Sequence, residues 1–361
     1  MPPPGPVGAV PPPQGVTPNF ENPEDVLHTI NLASQILSMV IMTPFIIMRV
    51  YVKIRVAPPF LLDDWACCIA WVLAEGYSVT ALMMNHFGGG FHAWDLTAQD
   101  YEGFLKALYA DTLVYGPNAW FTKFALLLVI ARVFGTFRAT RISAWVIMVA
   151  MLCYYVPVFI IKIQVCRPIN SYWDLGVKGV NVVSQRSLFV ADTVMSTVSD
   201  IAVLLLPVPA IVSLRMNMAQ KLKIWCMLGL GGIATMASIV RMVIVMKLQK
   251  SNDQSVDFVR FNLLGTAEVT IGVVCACLPA LNILVARHRI SSRESSEHSQ
   301  SKFVSALKSI KFLHGSKLKT APPITPLRVT NVVTNRKQND CPSLGQNNHC
   351  NSSNDNEFEL R

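Results

Sequence analysis

The chain has 361 residues, of which 52% are hydrophobic and 15% charged, with a mean hydropathy of +0.40. A soluble domain carries about 25% charged residues, so this composition excludes one and points to a membrane protein. The net charge of +9 does not indicate nucleic acid, because the basic residues fall in short connectors and in the C-terminal tail, where contact with anionic lipid explains them.

Residues 1–25 are Pro-rich and contain no Lys or Arg. They lack the basic start and apolar run of a cleavable signal peptide and are expected to form a disordered extracellular tail. Seven apolar stretches follow, at about 26–52, 64–85, 106–133, 142–165, 187–214, 222–247 and 261–286. Each can cross a hydrocarbon core that takes roughly 20 helical residues. Lipid offers no partner to free backbone groups, so all seven are expected to be helices, and residues 26–287 a seven-helix domain. Residues 288–361 read as a low-complexity, basic cytoplasmic tail. Within it Phe303, Ala306, Leu307, Ile310 and Leu313 gather on one helical face, which predicts a surface helix after a flexible Ser-rich stretch at 291–301.

Charge asymmetry predicts the orientation. Arg49, Lys53 and Arg55 follow the first span, Arg132, Arg138 and Arg141 the third, Arg215, Lys221 and Lys223 the fifth, and Arg287, Arg289 and Arg293 the seventh. Those four segments belong together on the cytoplasmic side. The fold expected is therefore an all-α, multi-pass membrane protein with its N-terminus outside and its C-terminus cytoplasmic, in the plasma membrane or an endomembrane.

Ionisable residues at membrane depth are costly and mark sites. Here they are Glu75, Asp111, Lys123, Asp192, Asp200, Arg241 and Glu268. At about 1.5 Å per residue, Glu75, Lys123 and Asp200 fall near mid-span, and the other four nearer the outer end. Two layers of opposite charge follow: Lys123 with Asp200 or Glu75, and Arg241 with Glu268 or Asp192. The pairs either lock helix packing or line a polar pocket that opens outward, where an unpaired acid could receive a cationic ligand group or relay a proton. Asp63 and Asp64 open the second span and suit the positive end of a helix. Arg132, at the inner end of the third, is either an ordinary positive-inside residue or part of a switch. His86, His92 and Asp95 are donors of the type that holds zinc or copper. The glycines between them, Gly88, Gly89 and Gly90, argue against a preformed cage, so no metal is expected, and the loop bearing Phe91, Trp94 and Asp95 reads as a lid over the bundle mouth. No Ser-His-Asp set, phosphate loop or HExxH appears, and no reaction is assigned.

Several strings together resemble the fungal rhodopsin-domain family, the receptor-like seven-helix membrane proteins of filamentous fungi. They are Asp63-Asp64-Trp65, Gly88 to His92-Ala93-Trp94-Asp95, Lys123, Ala131-Arg132-Val133-Phe134, Cys166-Arg167-Pro168 with Trp173-Asp174, Asp200 before Leu204-Leu205-Leu206-Pro207-Val208-Pro209, Gly229-Leu230-Gly231, Ser238-Ile239-Val240-Arg241, and Glu268 with Cys275-Ala276-Cys277-Leu278-Pro279. The resemblance implies a receptor-like bundle; some relatives resemble host-surface receptors, and others belong to secondary-metabolite clusters of the satratoxin type. Relatives usually carry a second cysteine soon after the Trp-Asp pair; it is missing here, and the resemblance implies no disulfide for Cys166. The seventh span has no lysine for a retinal Schiff base, so no cofactor is expected. The function expected is binding or sensing of a small, apolar ligand, relayed to a cytoplasmic signalling partner; the alternative is a membrane-embedded enzyme or carrier in a biosynthetic cluster.

The orientation has a direct test. A glycosylation reporter fused to the C-terminus is expected to stay unmodified; its glycosylation would overturn the assignment.

Overall fold

The computed structural model describes residues 8–135, 138–174, 176–177, 180–181, 185–213, 218–248 and 253–314. Its long elements are α1 (His28–Tyr51), α2 (Leu62–His86), α3 (Ala98–Val133), α4 (Arg138–Ile163), α5 (Gln185–Leu205), the short α6 (Val208–Ser213), α7 (Met218–Leu248) and α8 (Gln254–His314). A two-residue hairpin, β1 (Cys166–Arg167) and β2 (Val180–Asn181), lies between α4 and α5. Seven helices contain a stretch long and apolar enough to cross a membrane. The architecture is a seven-helix membrane bundle.

Consecutive helices alternate in direction, which gives the bundle two ends. One carries the loop 87–97 and is called the loop end. The other joins α1 to α2 and is called the basic end. The chain divides into two compact units, Met1–Glu297 and His298–Arg361. The bundle is in the first. In the second, the described residues, 298–314, are helical, as expected from the spacing of Phe303 to Leu313. The Ser-rich stretch at 291–301, expected to be flexible, is helical too, because Ser and Glu cost a helix little once it is under way.

Several span boundaries differ from those expected of hydropathy, and three show a local feature of the chain. The first is α3, which starts at Ala98 because Thr97 caps it, its side chain accepting from the Asp100 N–H. The second is the fifth span, which ends at Leu205, short of 214. Two closely spaced prolines, Pro207 and Pro209, cannot both sit in an unbroken helix, whereas single prolines at 44, 117, 157 and 279 remain inside theirs. The third is α1, which passes through a π-helical turn, Val52–Val56, before the connector to α2.

Packing follows sequence periodicity. The buried face of α1 is Asn31, Gln35, Ser38, Met42, Ile46 and Arg49, spaced by three and four residues. It turns toward α2 and α8, while Ile30, Leu37, Val40 and Ile47 point outward to lipid. The most enclosed span is α3, with 56% of its most apolar window buried against 22% for α4. Its neighbours are α2, α4, α5 and α8. Small residues permit the close approach to α8. A Cβ placed on Gly272 would lie 2.6 Å from Cγ2 of Thr122.

The proline-rich N-terminal segment, expected to be a disordered tail, is tied down from Gly8. Gly8 bridges Thr97, the Ala9 N–H donates to the Leu96 carbonyl at 3.3 Å, and the Asn19 N–H donates to Asp95 Oδ1 at 2.9 Å. Proline-rich chain makes no secondary structure of its own, but its free backbone groups pair readily with a loop that exposes backbone. Gly90, at φ +96°, lets that loop pass within contact of the α1 start; a Cβ there would meet the His28 nitrogen at 2.5 Å.

The contact of α3 with α8 is testable. Gly272→Ala should lower the thermal midpoint of the purified protein by several degrees, and Thr122→Ser in the same background should restore most of the loss. Equal losses with and without the Thr122 change would show that the helices do not meet there.

Candidate functional site

The centre of the bundle is built from one face of α5. Asp192, Ser196, Ser199 and Asp200 recur at spacings of three, four and eight residues, which puts them on one side of the helix. Lys123 of α3 reaches that face. Its ammonium lies 2.9 Å from Asp200 Oδ1 and 3.4 Å from Glu268 Oε1, and it donates at 2.8 Å to the Ser196 carbonyl, Ser196 Oγ and Ser199 Oγ. Arg241 of α7 approaches from the other side. Its Nη2 donates to Glu268 Oε2 at 2.7 Å and to the Tyr115 hydroxyl oxygen. The guanidinium carbon sits 4.9 Å from the Tyr115 ring centre and 5.0 Å from that of Phe261. Ser196 Oγ donates to Glu268 Oε1 at 2.7 Å, and Ser238 Oγ donates to Asp200 Oδ2. Arg241 is 0% exposed. Two acids balance two bases here. That balance lets four charges remain in a medium that penalises a lone one by many kcal/mol.

Glu268 thus joins what the sequence separates into two layers. Two of the expected alternatives are not realised. Asp192 pairs with Lys162 of α4 instead of Arg241, and the Tyr154 hydroxyl donates to it at 3.4 Å. Lys162, near the end of its span, was missed as a buried charge; its value as a signal lay in being the basic residue of an otherwise apolar helix end. Glu75 does not meet Lys123. It accepts from Trp71 Nε1 at 2.9 Å and Thr43 Oγ1 at 3.2 Å, on the α1 side of α2. A one-residue step turns a helix by about 100°, so depth alone could not choose among these partners.

Asp111 stands apart. Thr80 Oγ1 donates to its Oδ1 at 2.9 Å, and Asn262 Nδ2 reaches both oxygens at 3.0 Å. Asn262 belongs to an uncharged ladder that hydropathy did not reveal. Gln35 Nε2 donates to Asn31 Oδ1 at 3.1 Å, Asn262 Oδ1 at 3.1 Å and Thr266 Oγ1 at 3.2 Å, so α1 and α8 are joined by amides. The signal available was polar residues on the buried stripe of α1.

At the basic end Asp63 and Asp64 do more than face a helix start. Asp64 accepts from the Leu61 N–H at 3.1 Å, so the capping role expected of Asp63 falls to its neighbour. Both also hold Arg49. Its Nε donates to Asp64 Oδ1 at 2.9 Å, its Nη2 to Asp63 Oδ2 at 2.8 Å, and its Nη1 to the Ala276 carbonyl of α8. Lys53 adds a contact to Asp64 at 3.2 Å, and Arg132 one to Asp63 at 3.1 Å. Arg49 and Lys53, expected in a connector, are buried; Arg132 stays 46% exposed. One cluster therefore ties α1, α2, α3 and α8 together.

At the loop end His92 Nδ1 meets Asp253 Oδ2 at 2.6 Å, and its ring stacks on Trp94 with centroids 4.4 Å apart. Asp95 is engaged by Asn19, and His86 is exposed beside Phe87. The three candidate metal donors of this loop are thus held by other partners or point away. Among the described residues no group of three or more such side chains is placed to hold a metal ion.

A cavity of about 100 Å³ lies beside these groups between α3, α5, α7 and α8, toward the basic end. Leu126, Val129, Leu204, Leu228 and Ile271 make its wall, and Asp200 is the charged group on it. Near the loop end lie two smaller cavities, of about 20 and about 10 Å³, on either side of Lys162.

Residues 48–287 match the model of the fungal rhodopsin domain. The chain is 26% identical over 209 residues to a SAT4 family membrane protein of Emericella nidulans, covering 57% of this chain and 53% of that protein. It is 21% identical over 179 residues to Satratoxin biosynthesis SC1 cluster protein 4 of Stachybotrys chartarum, covering 50% and 65%. It is 20% identical over 242 residues to Receptor GIN3 of Arthrobotrys oligospora, covering 66% and 57%. The matches span between about half and two thirds of these relatives' own lengths. No solved structure matches the chain.

The shared carboxylate predicts an order of damage. Glu268→Ala leaves Arg241 with no carboxylate, whereas Arg241→Ala leaves Glu268 still held by Lys123. Breaking a buried pair costs about 3–5 kcal/mol in soluble proteins. The yield of folded protein should fall most for Glu268→Ala, less for Arg241→Ala, and recover in part in the double variant. Additive losses would show that the two side chains do not interact.

Proposed function

Because this chain belongs to the fungal rhodopsin domain family, we propose that it is a receptor-like membrane protein that binds a small, mainly apolar molecule in the cavity beside Asp200. The observation that carries this reading is the position of Asp200. It is at once the wall of an apolar cavity and the partner of Lys123. A guest that fills the cavity presses on the charge network, and one with a hydroxyl or amine competes with Lys123 for the carboxylate. Either biases the packing of α5 and α7 against α3, which is what a ligand must do to shift a two-state equilibrium. Receptor GIN3 among the relatives supports the receptor reading.

On this reading the N-terminus is outside and the basic end faces the cytoplasm of the plasma membrane or an endomembrane. A signalling partner then meets the Arg132 end of α3. Retinal has no place in it, since α8 has no lysine between Gln254 and Val285 and Lys123 is committed to four oxygen partners besides Glu268.

A second reading has its own support. Satratoxin biosynthesis SC1 cluster protein 4 places one relative in a biosynthetic cluster. The same cavity would then take a biosynthetic intermediate for conversion or transport, with Asp200 as the proton-handling group. Mass spectrometry of a bound compound after incubation separates the two: an altered compound supports catalysis, an unaltered one a receptor or carrier.

The cavity itself is tested by filling it. The full chain in lipid nanodiscs should be stabilised by some members of a panel of apolar, ring-sized compounds. Ala234→Leu should weaken that binding at least tenfold while keeping the thermal midpoint near or above its starting value. Stabilisation undiminished by the filled cavity would place the ligand elsewhere and refute the reading.

A further inference from the structure

We propose a second guest site at the loop end, a chamber for a small primary ammonium group held against Asp111. Three separate observations lead there. First, Asp111 is 5% exposed and its hydrogen-bond donors, Thr80 and Asn262, are both neutral. Among the described residues no lysine or arginine forms an ion pair with it. The other carboxylate of this region, Asp192, is already matched by Lys162. The formal count around the chamber is therefore one excess negative charge at membrane depth, where a cationic partner is expected.

Second, there is room beside it. The cavity of about 10 Å³ is bounded by Asp111, Asp192 and Lys162, the scale of a single water-sized guest. A separate cavity of about 20 Å³ shares the walls Thr112, Lys162 and Phe189 with it and lies toward the β-hairpin, between Tyr109, Val165 and Tyr172. A guest with its nitrogen in the inner chamber and one or two carbons in the outer one matches these sizes once the shared Lys162 and Phe189 side chains part.

Third, the chamber walls are aromatic. Phe189 lies 4.9 Å from Phe258 and 5.9 Å from Phe261 between ring centres, and Phe261 lies 6.4 Å from Tyr115. Ring faces around a carboxylate are the environment that binds ammonium ions, since the negative face of each ring adds to the charge. They disfavour an anion, which the negative ring faces and the two carboxylates repel. A hydrated sodium ion loses its water here without a ring of oxygens to replace it. The guest is thus an unbranched alkylammonium, and the site is independent of the cavity beside Asp200.

The experiment uses the full chain in lipid nanodiscs and follows its thermal midpoint at constant ionic strength. The probes are the chloride salts of methylammonium, tetramethylammonium and sodium. A saturable rise with methylammonium only is the expected result. Asp111→Asn keeps the side chain's shape and removes its charge, and should raise the dissociation constant at least tenfold. Phe258→Leu removes one ring face and should raise it about threefold or more. No saturable rise, an equal rise with sodium or tetramethylammonium, or an unchanged constant in Asp111→Asn overturns the site. If Asp111→Asn does not fold, an unchanged constant in Phe258→Leu overturns it instead.

Discussion

Glu268 gives one oxygen to Lys123 and the other to Arg241, and most of the bundle's interior is arranged around that sharing. The three residues come from α8, α3 and α7. In a medium where an unmatched charge costs several kcal/mol, none of these helices can rotate or slide without the others. Ser196 and Ser238 add hydrogen bonds to the two carboxylates from α5 and α7, while Nε and Nη1 of Arg241 are buried with no hydrogen-bond partner among the described residues. The aromatic rings of Tyr115 and Phe261 then stack beside Arg241 because its charge favours their faces.

Around this centre the helices fall into two sets held by different forces. Helix α1 is joined to α8 by neutral side chains at the loop end, through Gln35, Asn262 and Thr266, and at the basic end by Arg49, which also holds α2 through Asp63 and Asp64. Helices α3, α5 and α7 are joined to α8 by charge. Neutral amide bonds are each modest, so the first set depends on their number; the second depends on a few strong pairs. The 100 Å³ cavity borders only the charged set.

The spans, their order and the expensive residues in them were legible in the chain, because hydropathy and the cost of charge are properties of a residue and its near neighbours. Lys123, Asp200, Arg241 and Glu268 were identifiable for that reason. Lys162 was not, since a lysine close to a helix end can reach water in many proteins by extending its side chain. Arg49 was taken for a connector residue for the same reason, yet its guanidinium turns inward to Asp63, Asp64 and the Ala276 carbonyl. Gln35 and Asn262 carry no charge, and one amide does little to the mean hydropathy of an otherwise apolar stretch.

Partners are another matter. Arg241 had two candidate acids at suitable depth, and Lys123 had two; Glu268 serves both, while Asp192 and Glu75 turn to other helices. Depth is fixed by position in the span, but the direction of a side chain depends on the rotation of its helix, and about 100° separates one residue from the next. The sequence by itself determined the number of membrane helices, the family motifs and the charged residues deep within the spans, but not those near the helix ends such as Arg49 and Lys162. Only the tertiary structure decided which charge faces which, where the space between helices remains, and which carboxylate lies beside it, because those depend on the mutual rotation of helices whose contacts lie up to more than two hundred residues apart in the chain.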